Sequence, residues 1–106
     1  MKIAFVAAHA NPLPLPDQRV WSQSVHVAEL ARALVRAGHA VTVLTRRDDP
    51  SRADVDVLPP GVVVRHLDAG PPEPLPDSEV LDHLDDFTTA LRCALTTEQP
   101  DVVHAH

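Results

Sequence analysis

Residues 22–45, "SQSVHVAELARALVRAGHAVTVLT", decide how this chain folds. Val27, Leu30, Ala31, Leu34 and Val35 recur three and four apart, which lines apolar side chains along one stripe of an α-helix. Ser22 or Ser24 is available as N-cap. Glu29 can pair with Arg32 at i,i+3, and Arg32 and Arg36 suit the negative end of the helix dipole. Gly38 stands where a left-handed residue ends a helix. Ala40 to Thr45 is then apolar and β-branched, as a strand should be. Upstream, Ile3 to Ala8 is a continuous apolar run, the pattern of a strand covered on both faces. Strand, helix and strand over residues 3–45 have the length of a βαβ crossover, so the two strands are expected to be parallel.

Outward from that unit, residues Arg46 to Gly61 are charged and then proline-bearing, and read as a loop. Val62 to Leu67 gives a third strand, and "DAGPPEPLPD" (68–77) a second irregular stretch. Leu81, Leu84, Phe87, Leu91, Ala94 and Leu95 mark a single helix from Ser78 to Glu98. Asp77, Glu79 and Asp82 lie near its positive end, and Pro100 terminates it. "DVVHAH" (101–106) is a fourth strand. The order is β-α-β-β-α-β, an α/β chain with a Rossmann-like parallel sheet. Ligands of such sheets bind beyond the carboxyl ends of the strands, which selects the His9 loop, Thr45–Arg46, Leu67–Gly70 and His104–His106 as the rim.

With 106 residues the chain suits one small domain or a piece of a larger one. Hydrophobic residues reach 44% but aromatics only 3%, so aliphatic side chains must build the core. A formal charge of −6 disfavours nucleic acid as a partner. Cys93 has no intrachain cysteine partner, which fits a reducing compartment. The opening "MKIAFVAAHA" resembles a signal peptide, but its apolar run falls short of the usual h-region of about 7–15 residues. No stretch approaches the roughly 18 apolar residues of a membrane span. The expected location is cytoplasmic.

The turn between the first strand and first helix carries Pro12, Pro14, Pro16 and Trp21 and no glycine; the glycines are Gly38, Gly61 and Gly70. A dinucleotide fingerprint is therefore absent, and Thr45–Arg46 replaces the acid that would hold a ribose hydroxyl. No P-loop is present. His104 and His106, two apart on a strand, share a face. His9 joins them if the first and fourth strands are neighbours, and three imidazoles can hold zinc. No carboxylate or cysteine stands at metal spacing beside them, so no metal is expected. His106 ends a strand on the rim, where it can hydrogen-bond a hydroxyl or carry a proton; a packed, inert histidine is an equal reading. His26 is either ligand-facing or solvated. Gln23 and Ser24 bring backbone N–H groups to a helix N-terminus, a place for an anion that in most proteins holds only water. The acidic run "DSEVLDHLDD" (77–86) reads as a solvated helix face.

Three stretches together, "QSVHVAELARALVRAGHAVTVLTRRDDP" (23–50), "PPGVVVRHLDAGP" (59–71) and "PDVVHAH" (100–106), resemble the N-terminal domain of retaining GT-B glycosyltransferases of family 4, the group of sucrose-synthase-like and mycothiol-pathway enzymes. The resemblance implies a two-domain enzyme that moves a hexosyl group from a nucleotide-sugar donor to an acceptor with retention. It implies an acceptor-side N-terminal domain, a donor-binding C-terminal domain, and no cofactor or metal beyond the nucleotide sugar. Gln23, Ser24 and His26 match the start of the family's first helix, a substrate-binding place to which His9 on the rim is added. His106 matches the second histidine of an H-x-H segment beside the donor sugar, which implies a catalytic role; His104 is then structural. Relatives carry Gly-Gly before the glutamine, where Trp21 and Ser22 stand here, so no phosphate role is carried over to either. Residues 1–106 are expected to be a partial N-terminal domain that needs its C-terminal partner and does not turn over alone. The alternative is a non-catalytic binding or interaction module, or a remnant of such an enzyme. An open sheet edge makes association of the isolated piece the expectation.

Overall fold

A computed structural model describes residues 1–13 and 22–106, the side chain of Ser22 excepted. In chain order the elements are β1 (Lys2–Val6), α1 (Ser22–Arg36), β2 (Ala40–Arg46), β3 (Val55–Leu58), β4 (Val62–Leu67), α2 (Asp77–Asp82), α3 (Leu84–Glu98) and β5 (Val102–Ala105). The sheet order is β3-β4-β2-β1-β5. β1 runs parallel to β2 and β5, and β2 parallel to β4, so the expected α/β class and parallel core hold.

Two elements depart from expectation. The segment Arg46–Gly61 is not all loop: Val55–Leu58 pairs antiparallel with β4 as an edge strand. Its first three residues are exposed, so its Val-Asp-Val alternation never marks a buried face. The helix expected over Ser78–Glu98 is two helices, broken at His83. The break changes which side chains face inward. Val80 is buried, whereas Leu81 and Leu84 are exposed, against the stripe expected of them. A tertiary contact accompanies it. Gly70 has φ +72°, and a Cβ there would lie 2.5 Å from the His83 ring, so the bare glycine backbone lets that ring settle against the β4–α2 loop.

The two faces of the sheet have separate cores. On one, Val27, Ala28 and Ala31 of α1 pack on Ile3, Phe5, Val41, Val43, Val62 and Val64. On the other, Phe87 and Ala94 of α3 pack on Ala4, Leu44 and Leu67. α1 ends as expected at Gly38 (φ +97°), where the N–H of His39 reaches the Leu34 carbonyl and that of Gly38 the Val35 carbonyl, both at 3.0 Å. Its start is different. The helix begins at Ser22, so Ser24 lies within the first turn rather than at the cap, and the flanking position falls on Trp21, outside the described residues. Pro14 and Pro16 of the opening loop also lie outside them.

Both long helices lie over β2 and the strands beside it, and α1 and α3 each also reach β4. β5 is exposed along its whole length, with Val102 and Val103 open to solvent. Among the described residues no helix is long and apolar enough to cross a membrane.

Candidate functional site

Register places four strand ends on the α1 face of one rim. Phe5 opposes His104 and Thr45 opposes His66, so by the two-residue period Ala7, Thr45, His66 and His106 form one layer. β5 pairing continues past its last residue through the His106 N–H to the Val6 carbonyl, 2.8 Å. The first and last strands are therefore neighbours, and His104 and His106 share a face as expected.

Around this end the imidazoles gather. The His106 ring lies 4.5 Å from that of His104, 4.8 Å from Phe5 and 6.1 Å from His26, centre to centre. On the adjacent helix end, His9 Nε2 is 2.9 Å from Gln23 Oε1. Gln23 and His26 are three apart on α1 and both exposed, so they present one side of its first turn. Ser24 belongs to the other side. It is buried, in helical phase with Val27, Ala28 and Ala31, and faces the sheet rather than a ligand. Of the five residues singled out from the sequence, the structure thus brings His9, Gln23, His26 and His106 together and turns the Ser24 side chain away, while the Ser24 backbone stays in the first turn of α1.

His106 Nε2 is buried and has no hydrogen-bond partner among the described residues. Burial, first, and then the neighbouring His104 and His26 hold the His106 ring below the ordinary histidine range, which keeps it neutral near pH 7. A neutral ring offers one N–H donor and one lone pair, and the open valence at Nε2 is what a hydroxyl on a ligand would satisfy. Among the described residues no group of three or more His, Cys, Asp or Glu side chains is placed to hold a metal ion.

A second polar group on the same rim was not foreseen. His66 is buried, with Nδ1 2.7 Å from the Ala53 carbonyl and Nε2 2.9 Å from Asn11 Nδ2. Asn11 Oδ1 in turn accepts the Leu13 N–H at 2.8 Å. Arg52 is buried beside them, bound to Asp48 at 2.9 Å and donating to the Leu13 carbonyl. Arg46, expected on the rim from its place after the second strand, is 4% exposed and committed to the carbonyls of Arg47, Pro71 and Glu73. Arg47 is held by Asp68 at 2.7 Å and by Asp54. The hydrogen bond to Asp68 leads the causes that raise its pKa above the ordinary value. The signal available for these residues was their place at strand carboxyl ends; nothing local showed that arginines would be buried there.

The chain matches the Glycosyltransferase Family 4 profile over residues 23–106. It is 38% identical to the D-inositol 3-phosphate glycosyltransferase of Acidothermus cellulolyticus, over 99% of this chain and 24% of that protein. A protein of the same name from Jonesia denitrificans is 35% identical over 99% of the chain and 26% of its own length. Among solved structures, sucrose-phosphate synthase from Thermosynechococcus elongatus superposes with a TM-score of 0.87 at 27% identity, covering 98% of this chain and 26% of that one. The chain spans about a quarter of the length of the curated relatives it matches. With the profile covering most of its length and the sheet superposing on a GT-B enzyme, the chain belongs to glycosyltransferase family 4.

Proposed function

We propose that this chain forms the acceptor-side wall of a glycosyltransferase that moves a hexosyl group from a nucleotide-sugar donor to a hydroxyl acceptor with retention. The observation that carries this reading is the buried Nε2 of His106, unsatisfied among the described residues and set at the carboxyl end of β5 beside His26 and the His9–Gln23 pair. A neutral imidazole there binds a sugar hydroxyl and strengthens that bond as positive charge builds on the sugar ring. Such fixed polarity lowers a barrier because it needs no reorganisation during reaction. Residues 1–106 form part of an N-terminal domain, and a donor-binding domain supplies the other wall of the cleft. By this reading the 106-residue chain alone binds weakly and does not turn over, and its setting is cytoplasmic. The phosphorylated inositol in the relatives' names makes a polyol the first acceptor to try.

The test uses the polypeptide that carries this chain together with a donor domain. Sugar nucleotides are offered with polyol acceptors, and product anomers are read by NMR. His106→Ala is expected to lower kcat by about a hundredfold or more, the scale for losing one preorganised hydrogen-bonding group. Unchanged turnover in that variant overturns the role of His106, and no transfer with any donor overturns the enzyme reading. One feature favours a second reading, a module that binds without turnover: Trp21–Ser22 where relatives place Gly-Gly. Replacing the pair with Gly-Gly decides it. A gain in donor affinity supports the module, and unchanged affinity removes the reason for it.

A further inference from the structure

We infer that His66 is a positioning residue that, through Asn11, holds the turn carrying His9 against the rim. The inference rests on the proposed transferase site only for its functional meaning; the geometry stands by itself.

The hydrogen bonds admit one assignment. The Ala53 carbonyl can only accept, so His66 Nδ1 carries the proton and Nε2 is left as a lone pair. That lone pair accepts from the Asn11 amide, and the remaining Asn11 atom, Oδ1, accepts the Leu13 N–H. Every atom of the chain Ala53–His66–Asn11–Leu13 is used once. The segment it fixes is tied at further points: Ala7 N–H to the Leu44 carbonyl (2.9 Å), Arg46 N–H to the Ala8 carbonyl (3.3 Å) and Ala10 N–H to the Ala7 carbonyl (3.4 Å). His9, two residues before Asn11, reaches Gln23 from this segment. His66 on β4 thus acts on the ligand side of α1 across two strands, through Asn11 and then His9.

The relay works only with a neutral ring. A proton on Nε2 would face the Asn11 NH2 group. Flipping the amide to accept it would turn NH2 toward the Leu13 N–H, so one of the two bonds is lost either way. The groups around the ring resist that proton. Burial acts first and the Arg52 and Arg47 guanidiniums add to it, while the Ala53 carbonyl and Asp48 act in the opposite sense. Thr45 on the neighbouring strand carries no charge, and the Asp54 carbonyl accepts the His66 backbone N–H at 2.9 Å.

Nitrogen-15 NMR of the histidine rings, titrated from about pH 8 to 4, reads the relay without substrate. The polypeptide carrying residues 1–106 is expected to show His66 as the Nδ1–H tautomer and neutral below the ordinary histidine range. The hydrogen-exchange protection of Leu13, corrected for intrinsic rate, should fall about two- to tenfold as His66 titrates. Asn11→Asp keeps the bond to Leu13 and puts a second acceptor opposite Nε2, so it should move the His66 pKa above the ordinary value. His66→Gln can both donate to Ala53 and accept from Asn11. It should keep Leu13 protected to within about twofold and abolish the pH dependence. An Nε2–H tautomer at neutral pH overturns the relay, as does an unmoved His66 pKa in Asn11→Asp. Should His66→Gln fail to fold, the Asn11→Asp titration decides alone. None of these readings depends on sugar transfer, so a failed transferase assay and a failed relay are separate results.

Discussion

Replacing Arg46 separates what a buried cation does for a loop from what it does for the fold. Its Nη1 donates to the carbonyls of Arg47 (3.0 Å) and Pro71 (2.9 Å), and its Nη2 to that of Glu73 (2.6 Å). Charge-assisted bonds contribute about 1.5–3 kcal/mol each, so three amount to about 4.5–9 kcal/mol. Against this stands the desolvation of the guanidinium, several kcal/mol, which also lowers its pKa from the ordinary value. The Nε–H is buried without a partner among the described residues, at a further cost of about 1–3 kcal/mol. The opposing contributions are of similar size, so the net is small, on the order of 0–3 kcal/mol. Arg46→Met, which keeps the aliphatic stem, should therefore cost only about 0–3 kcal/mol of global stability in urea denaturation. Arg46→Ala should cost about 2 kcal/mol more, from the γ-methylene, sulfur and ε-methyl lost beyond Met, each comparable to a methylene at about 0.8 kcal/mol. The loop should respond more strongly than the fold. The Pro71 carbonyl also accepts the Glu73 N–H at 2.8 Å, so the Glu73 amide reports on the strap. Its hydrogen exchange should accelerate at least about tenfold in Arg46→Met, the effect of one charged bond at the low end of its range. The Arg47 amide, bonded to Leu67 at 2.8 Å, should change little by comparison. A global loss above about 5 kcal/mol in Arg46→Met refutes the offset between bonds and desolvation. An unchanged Glu73 amide refutes the strap.

Three further outcomes are expected. Phe5→Ala should cost about 3–5 kcal/mol in the same denaturation assay, because Phe5 is 1% exposed and packs within the α1-side core; a loss under 1 kcal/mol would mean that the core refills. Folding stability should drop on acidification. His66 and His106 both titrate lower in the folded chain than the unfolded value near 6.5, so the unfolded state binds more protons between the two values. The contribution is complete above about pH 6.5 and is lost as pH falls through the folded values, by at most about 1.4 kcal/mol per pH unit for each ring. Urea midpoints that rise from pH 7 to 5.5 would contradict this. Gly70→Ala should destabilise more than Gly38→Ala. Both sit at positive φ, but only at Gly70 would the new methyl strike the His83 ring, whereas nothing lies within 4 Å at Gly38; about 1 kcal/mol is expected at Gly38, and a smaller effect at Gly70 would reverse the argument.

The parts of the fold legible in the sequence are those where local pattern and burial agree. Val27, Ala31 and Leu34 mark α1 because that stripe meets the sheet, and Gly38 ends it because the next turn needs a left-handed residue. His104 and His106 share a face for the same reason that any residues two apart on a strand do. β3 was hidden because an antiparallel edge strand with three exposed residues has no buried face to impose a pattern. The break at His83 carries neither proline nor glycine; the contact that accompanies it is with Gly70, thirteen residues upstream. Asn11 and His66 are 55 residues apart, and neither has a local signature of the other. Arg46 and Arg52 read as loop surface, because burial of an arginine depends on carbonyls and carboxylates that only the closed fold brings to it.

One asymmetry relates the sheet to the site. The helices cover β2 and β4, so the interior of those strands is fixed by packing, and their carboxyl ends hold closed polar networks in which Arg46, Arg52 and His66 are committed to partners. Among the described residues β5 receives no such cover from the helices. His104 and His106 are placed by pairing with β1 and by the edge of one ring, Phe5, which lies 5.8 and 4.8 Å from them. The open valence of His106 therefore lies on the side of the sheet with the fewest competing partners, while the side rich in cations has none of its described arginines offered to a ligand. A ligand approaching this rim meets imidazoles and an amide rather than guanidinium groups. That favours recognition of hydroxyls here, and under the proposed transferase reading it leaves charge neutralisation of a donor diphosphate to groups outside the described residues of this wall.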